Sequence, residues 1–217
     1  MKIKIISAVL CYVAVAAPAS AQAPRPPLRR NDPPSISLRP FFLATGQRFE
    51  ARKTFETVFG KSVQPFWGGG LSVAFRNGFY VDVTASRFKK TGQRAFFFEG
   101  QGYGLGIPLT VTVTPLEVTA GQRVQIAPRV SLYTGFGVGS FRYQETSQFD
   151  DGPFEKRHIG YLVAAGVEFR VSRWVGVSGD AQYAYVSGII GTGGVSKEAG
   201  ESKLGGIAGR FRVIVGR

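Results

Sequence analysis

The 217-residue sequence contains one cysteine, one histidine and one methionine. The cysteine, Cys11, lies inside an N-terminal apolar run, so the rest of the chain can form no disulfide. A lone histidine without cysteine also makes a zinc site a poor expectation. Acidic residues are scarce: 14 Asp+Glu stand against 27 Lys+Arg, for a formal charge of +13. No apolar run is long enough for a spanning helix. The best, 5–17, falls short of the roughly 20 residues required. Nucleotide signatures are missing as well. In GFGVGS (135–140) serine stands where the G-x-G-x-x-G fingerprint needs its third glycine and no helix follows, and no glycine run leads into Gly-Lys-Ser/Thr. Neither a cofactor nor a metal is expected.

The features present begin at the N-terminus. Lys2 and Lys4 precede the apolar run, and Pro18 and the small residues Ala19-Ser20-Ala21 follow it. This layout predicts a signal peptide over 1–21, cleaved after Ala21. The bulky Leu10 before Cys11 argues against a lipoprotein signal. Residues 22–34, QAPRPPLRRNDPP, offer no apolar face and are expected to form a flexible leader. Removing Lys2 and Lys4 leaves 25 cations against 14 anions, or +11. Export makes nucleic acid an unsuitable partner for this excess. The anionic surface of a bacterial envelope is the expected one.

From residue 35 onward the dominant period is two. In IGYLVAAGVEFR (159–170), Ile159, Tyr161, Val163, Ala165, Val167 and Phe169 alternate with small or charged residues. The pattern resumes at Val175, Val177, Gly179, Ala181, Tyr183 and Tyr185. Such alternation marks strands with two unlike faces. About eight strands are predicted, near 35–44, 66–75, 79–89, 109–123, 129–143, 157–170, 175–186 and 203–216. Long connections (45–65, 90–108, 144–156, 187–202) alternate with short ones at 76–78, 127–128 and 172–174. Long loops at one end and tight turns at the other are characteristic of an up-and-down transmembrane barrel. At 76–78 a three-residue loop, with Gly78 supplying the left-handed residue, keeps Phe75 and Phe79 on one face. The segment QRFEARKTFETVFGKS (47–62) is the helical candidate. Phe49, Phe55, Val58 and Phe59 recur at near-helical spacing. Its place relative to the barrel is left open.

A closed sheet can span hydrocarbon because every backbone polar group is paired within it. The apolar face then points outward and the small, polar face points into a narrow lumen. Arg39, Asp82, Glu117, Glu168, Asp180, Arg210 and Arg212 are the expected lumen charges, joined in salt bridges because an unpaired buried charge is costly. Gly135, Gly137 and Gly139 are expected to be lumen spacers. Aromatic girdles are expected at two interfaces. Phe75, Phe79, Phe169, Trp174 and Phe211 would form the tight-turn set. Trp67, Tyr183 and Tyr185, with Phe42 and Tyr161, would form the long-loop set. His158 falls at the long-loop end, where it could serve a serine as base, but no serine–histidine signature accompanies it. Phe96, Phe97, Phe98 and Tyr103 sit in the second long connection. Rim cations such as Arg48, Lys89 and Arg157 could meet outer-leaflet lipopolysaccharide phosphates.

The signal peptide, the cysteine-free remainder, the loop alternation and the strands of YLVAAGVEFRVSRWVGVSGDAQYAYV resemble the small bacterial outer-membrane β-barrel family, the OmpA-like and opacity-type barrel domains. The segment IPLTVTVTPLEVTAGQR is similar to the mid-barrel strand of such proteins. The resemblance covers about 35–217. It implies an all-β, closed antiparallel barrel that is a non-enzymatic, monomeric outer-membrane protein. Its role would be in envelope integrity or in surface interaction through a loop ligand of unknown identity. A narrow pore and a lipid-modifying enzyme using His158 are the alternatives.

Overall fold

A computed structural model describes residues 36–98, 101–147, 152, 154–191 and 194–216. The expected signal peptide and leader lie outside the described residues, as do Asp150, Asp151 and Arg217; the side chains of Phe97 and Phe98 are likewise not described. Eight strands run in chain order: β1 Ile36–Phe49, β2 Val63–Phe75, β3 Phe79–Phe98, β4 Gln101–Ala127, β5 Val130–Ser147, β6 Phe154–Arg170, β7 Val175–Tyr185 and β8 Gly206–Val215. Each pairs antiparallel with the next, and β8 returns to β1, closing the barrel. The all-β closed architecture expected from the alternation is therefore the observed one.

The register fixes the tilt. Moving sideways from Leu38, the partners are Val73, Val81, Ala120, Phe136, Val163, Tyr183, Ile207 and finally Arg48. The circuit ends ten residues farther along β1 than it began. For eight strands this stagger inclines each strand at roughly 45° and leaves an interior that side chains fill.

The turn at 76–78 has the three-residue form. Ala74 pairs with Tyr80, so Phe75 and Phe79 face each other across it, with ring centroids 5.6 Å apart. Gly78 has φ +84, a conformation that side chains resist. The connection expected at 90–108 differs. There β3 and β4 continue as a paired ribbon, with a register shift between Gln93 and Ala95. Its composition (Lys89, Lys90, Thr91, Gln93, Arg94) reads as loop because both faces have left the apolar wall, yet the backbone ladder continues.

Two helices occupy the long-loop end: α1 Arg52–Phe59, as the spacing of the phenylalanines predicts, and the short α2 Gly194–Glu198. The larger cluster of buried apolar residues gathers at that end, inside the barrel; a smaller one, Phe41, Leu43 and Ile214, lies lower. Phe49, Phe55, Phe66, Phe88, Val111 and Val113 are each at most 2% exposed. The lumen thus has an apolar upper half, which the expectation of a small, polar interior did not include.

Candidate functional site: a filled lumen between two unlike rims

Alternate residues of every strand point inward. In the tight-turn half this brings the seven expected charges together, and none is more than 8% exposed. Asp180 on β7 is the hub. It accepts from Arg210 Nε at 2.5 Å and from the Tyr133 hydroxyl at 2.7 Å, and lies 3.2 Å from Arg212 Nε. Arg212 donates to Asp82 at 2.7 Å, tying β8 to β3. Arg210 also approaches Glu117 at 3.6 Å, and Gln182 donates to the same carboxylate at 3.2 Å. Glu168 accepts from Arg39, and Arg123 stands 3.2 Å away on its other side. Arg39, Arg123, Arg210 and Arg212 thus balance Asp82, Glu117, Glu168 and Asp180. This network carries no net charge, and its pairs link strands far apart in sequence.

Arg123, Tyr133 and Gln182 are members that the expected set omitted. Arg123 was legible: it shares the inward parity of Glu117 along β4. Tyr80 and Tyr133 contact edge to face, with centroids 6.0 Å apart, and the Arg123 guanidinium lies over both rings. The glycines of β5 make room for this packing. A Cβ on Gly135 would stand 2.5 Å from the Tyr80 hydroxyl oxygen.

Above the charges, α1 sits in the mouth. Phe55 stacks on Phe49 with centroids 3.9 Å apart, and Phe59 meets Phe88 at 5.8 Å. Helix and ribbon touch closely. A Cβ on Gly92 would lie 2.2 Å from the Val58 carbonyl, and one on Gly102 2.4 Å from the Thr57 methyl. The N-cap residue Ala51 has no capping side chain. Glu201, from the loop before β8, takes that role: it accepts from Lys53 N at 3.1 Å, and from Thr54 N and Oγ1 at 2.9 and 2.7 Å. Glu201→Ala should cost about 1 kcal/mol, the usual worth of a cap. Hydrogen exchange should quicken at the amides of Lys53 and Thr54, with the lumen network unchanged.

His158 is half-buried beside Gly188 and makes no hydrogen bond among the described residues. Among the described residues no serine is hydrogen-bonded to it. Nearby on the β5–β6 extension, Arg142 grips Glu155 with two contacts of 2.6 Å. These hydrogen bonds hold the Glu155 carboxyl below the usual carboxylate range. A depressed carboxyl stabilises the fold above its unfolded pKa, and that contribution is lost as pH falls through the lower folded value. An NMR titration of the Glu155 side chain should give a midpoint below that of free glutamate, and Arg142→Gln should return it.

The outward face is apolar. Phe136 is 75% exposed and Ile159 72%. Phe75, Phe79, Phe169 and Trp174 cluster at the tight turns. Toward the other rim lie Trp67, level with Arg87, and Tyr183, level with Ile207; Tyr185 lies opposite Tyr161. Phe211 departs from the expected tight-turn set. It pairs with Gly179 and Ala44, in the middle of the wall. Four residues separate it from Val215 at the strand's end, and an inclined strand turns that spacing into roughly 10 Å of height. Phe42 pairs with Val213 and is also mid-wall, its ring 6.1 Å from that of Trp67.

No family model matches the chain, and no curated protein matches it. Solved structures do match in fold. A major outer membrane protein from Thermus thermophilus superimposes with TM-score 0.50 at 12% identity, covering 83% of this chain and 99% of that one. Neisserial surface protein A gives TM-score 0.49 at 12% identity, with coverages of 84% and 96%. Ail of Yersinia pestis, crystallised in complex with the heparin analogue sucrose octasulfate, gives TM-score 0.47 at 16% identity, with coverages of 83% and 95%. The fold is that of the small outer-membrane barrels.

Proposed function

We propose that this chain is an integral protein of a bacterial outer membrane, monomeric and non-enzymatic, that acts through its exposed loops with its lumen sealed. One observation carries this reading: the barrel is inverted. Its charges are paired inside while Phe136, Val138, Leu116, Ile159 and Val163 stand exposed on the wall. A soluble protein rarely leaves so wide an apolar surface uncovered. In a bilayer the same band meets acyl chains, and the closed ladder has no open edge whose backbone groups would face lipid.

The sealed lumen speaks for a structural or surface-interaction role over a pore. The upper half is filled by phenylalanines and the lower half by the balanced network. The outward cations Arg48, Arg87, Lys89 and Arg157, exposed above the apolar band, have the chemistry to meet lipopolysaccharide phosphates. For catalysis, His158 has no hydrogen-bonded serine or carboxylate among the described residues. The test is membrane fractionation with a gel comparing heated and unheated samples. A folded barrel should stay with the outer membrane and shift mobility on heating; release into the soluble fraction would overturn the reading. Planar-bilayer recordings should show no steady conductance. Regular channel currents from pure protein would instead favour a pore.

A further inference from the structure

Among the described residues, the charge of the three tight turns is of one sign. The three turns and their flanks (74–79, 122–131 and 169–177) contain no aspartate or glutamate. They present Arg76, Arg129, Arg170 and Arg173, all exposed. The turns are held together at this end. Arg170 N donates to the Arg129 carbonyl at 2.8 Å, and Gly216 N to the Trp174 carbonyl at 2.8 Å. Among the described residues, the carboxylates Glu168 and Asp82 on the adjoining strands are turned inward and paired with Arg39 and Arg212. Because the lumen network is neutral, the described residues of the turns keep a net positive charge. The opposite rim differs, since Glu50, Glu56, Glu155 and Glu201 are mixed with its cations.

The position of these arginines says what kind of anion they meet. Each adjoins a large apolar residue in sequence: Phe75-Arg76, Arg129-Val130, Phe169-Arg170 and Arg173-Trp174. Phe169 and Trp174 are 43% and 51% exposed on the outer wall, and the Arg173 guanidinium stands 5.8 Å from the Trp174 ring centre. At Arg173 and Trp174, cation and aromatic ring therefore share one height, at the turn end of the apolar band. That is the level of lipid headgroups, where a guanidinium can take two phosphate oxygens at once. A soluble acidic partner would be met by cations projecting beyond the rim.

We infer that the tight-turn end is a binding surface for anionic phospholipid, with Arg129 and Arg170 contacting headgroup phosphates of the leaflet on that side. The inference rests on the membrane reading above and adds to it a preference for anionic over zwitterionic headgroups.

The two tryptophans permit a direct test, because Trp67 and Trp174 lie toward opposite rims. Trp67→Phe leaves Trp174 as the sole tryptophan reporter at the turns. The full chain is refolded into mixed phosphatidylcholine–phosphatidylglycerol vesicles in which either the one lipid or the other is brominated, and comparing the quenching of Trp174 in the two gives the relative affinity of the two lipids. Phosphatidylglycerol should be preferred, about five-fold for each arginine in contact, and 0.5 M salt should weaken the preference. R129Q/R170Q should lower it by the same factor per residue removed. The companion Trp174→Phe chain, reporting from Trp67, should show no change with R129Q/R170Q. Equal quenching by both brominated lipids, or a preference untouched by R129Q/R170Q, would overturn the inference and leave the membrane reading standing. Absence of quenching by either lipid would remove the membrane reading itself. The salt titration on the unsubstituted turns decides the matter even if R129Q/R170Q refolds poorly.

Discussion

Asp180→Ala should destabilise the barrel by about 3–5 kcal/mol, the cost of breaking a buried ion pair by removing one partner. The carboxylate is the shared acceptor for Arg210 and the Tyr133 hydroxyl, and it faces Arg212 as well. Without it two guanidiniums keep their charge in a site closed to water. Arg210 retains Glu117 only at 3.6 Å, and Arg212 retains Asp82 at 2.7 Å. The Arg210 side faces the larger loss. Replacing Asp180 and Arg210 together with leucine and methionine should restore part of the stability, because the Arg210 charge goes with its partner while Glu117 keeps only its hydrogen bond from Gln182. Denaturant unfolding in vesicles, followed by tryptophan fluorescence, measures both. A loss below about 1 kcal/mol for Asp180→Ala would mean that water or neighbouring groups already satisfy the two arginines.

Phe136→Arg should cost about 2–4 kcal/mol in a bilayer, as a cation at mid-depth on the lipid face does. Phe136 is outward, 75% exposed, and level with Ala120 and Val163. Val177→Arg should cost less. Val177 is only two residues from the turn end of β7, and the penalty declines toward the interface. The order of these two effects reports the depth of the wall in lipid. If the outer face met water, arginine at position 136 would be harmless or would improve solubility. A null effect at Phe136 would therefore contradict the membrane reading at its centre.

Much of this architecture was legible because a strand has a period of two, which assigns a side to every residue once one is assigned. The seven lumen charges share the inward parity, and Arg123, the last residue of the predicted strand 109–123, shares it as well. Parity gives no height. Phe211 was misplaced along the wall because its level depends on the stagger between β7, β8 and β1, a property of three strands together. The ribbon at 90–108 was read as loop because composition reports what the side chains face, while the backbone pairing beneath continues.

The sequence by itself determined the class of fold: two-faced strands and the alternation of long and short connections admit a closed barrel and little else. It also determined that the turns carry one sign of charge. Only the tertiary structure decided which carboxylate holds which arginine, since Arg39 and Glu168, or Asp82 and Arg212, lie about 130 residues apart and meet through ring closure. It alone turned α1 into the mouth, where Phe55 finds Phe49 and Glu201 caps the helix from a distant loop. The physical reason is one of range. Hydrophobic alternation is a local property of a strand, whereas register, height and charge pairing arise when distant segments exclude water from the same space.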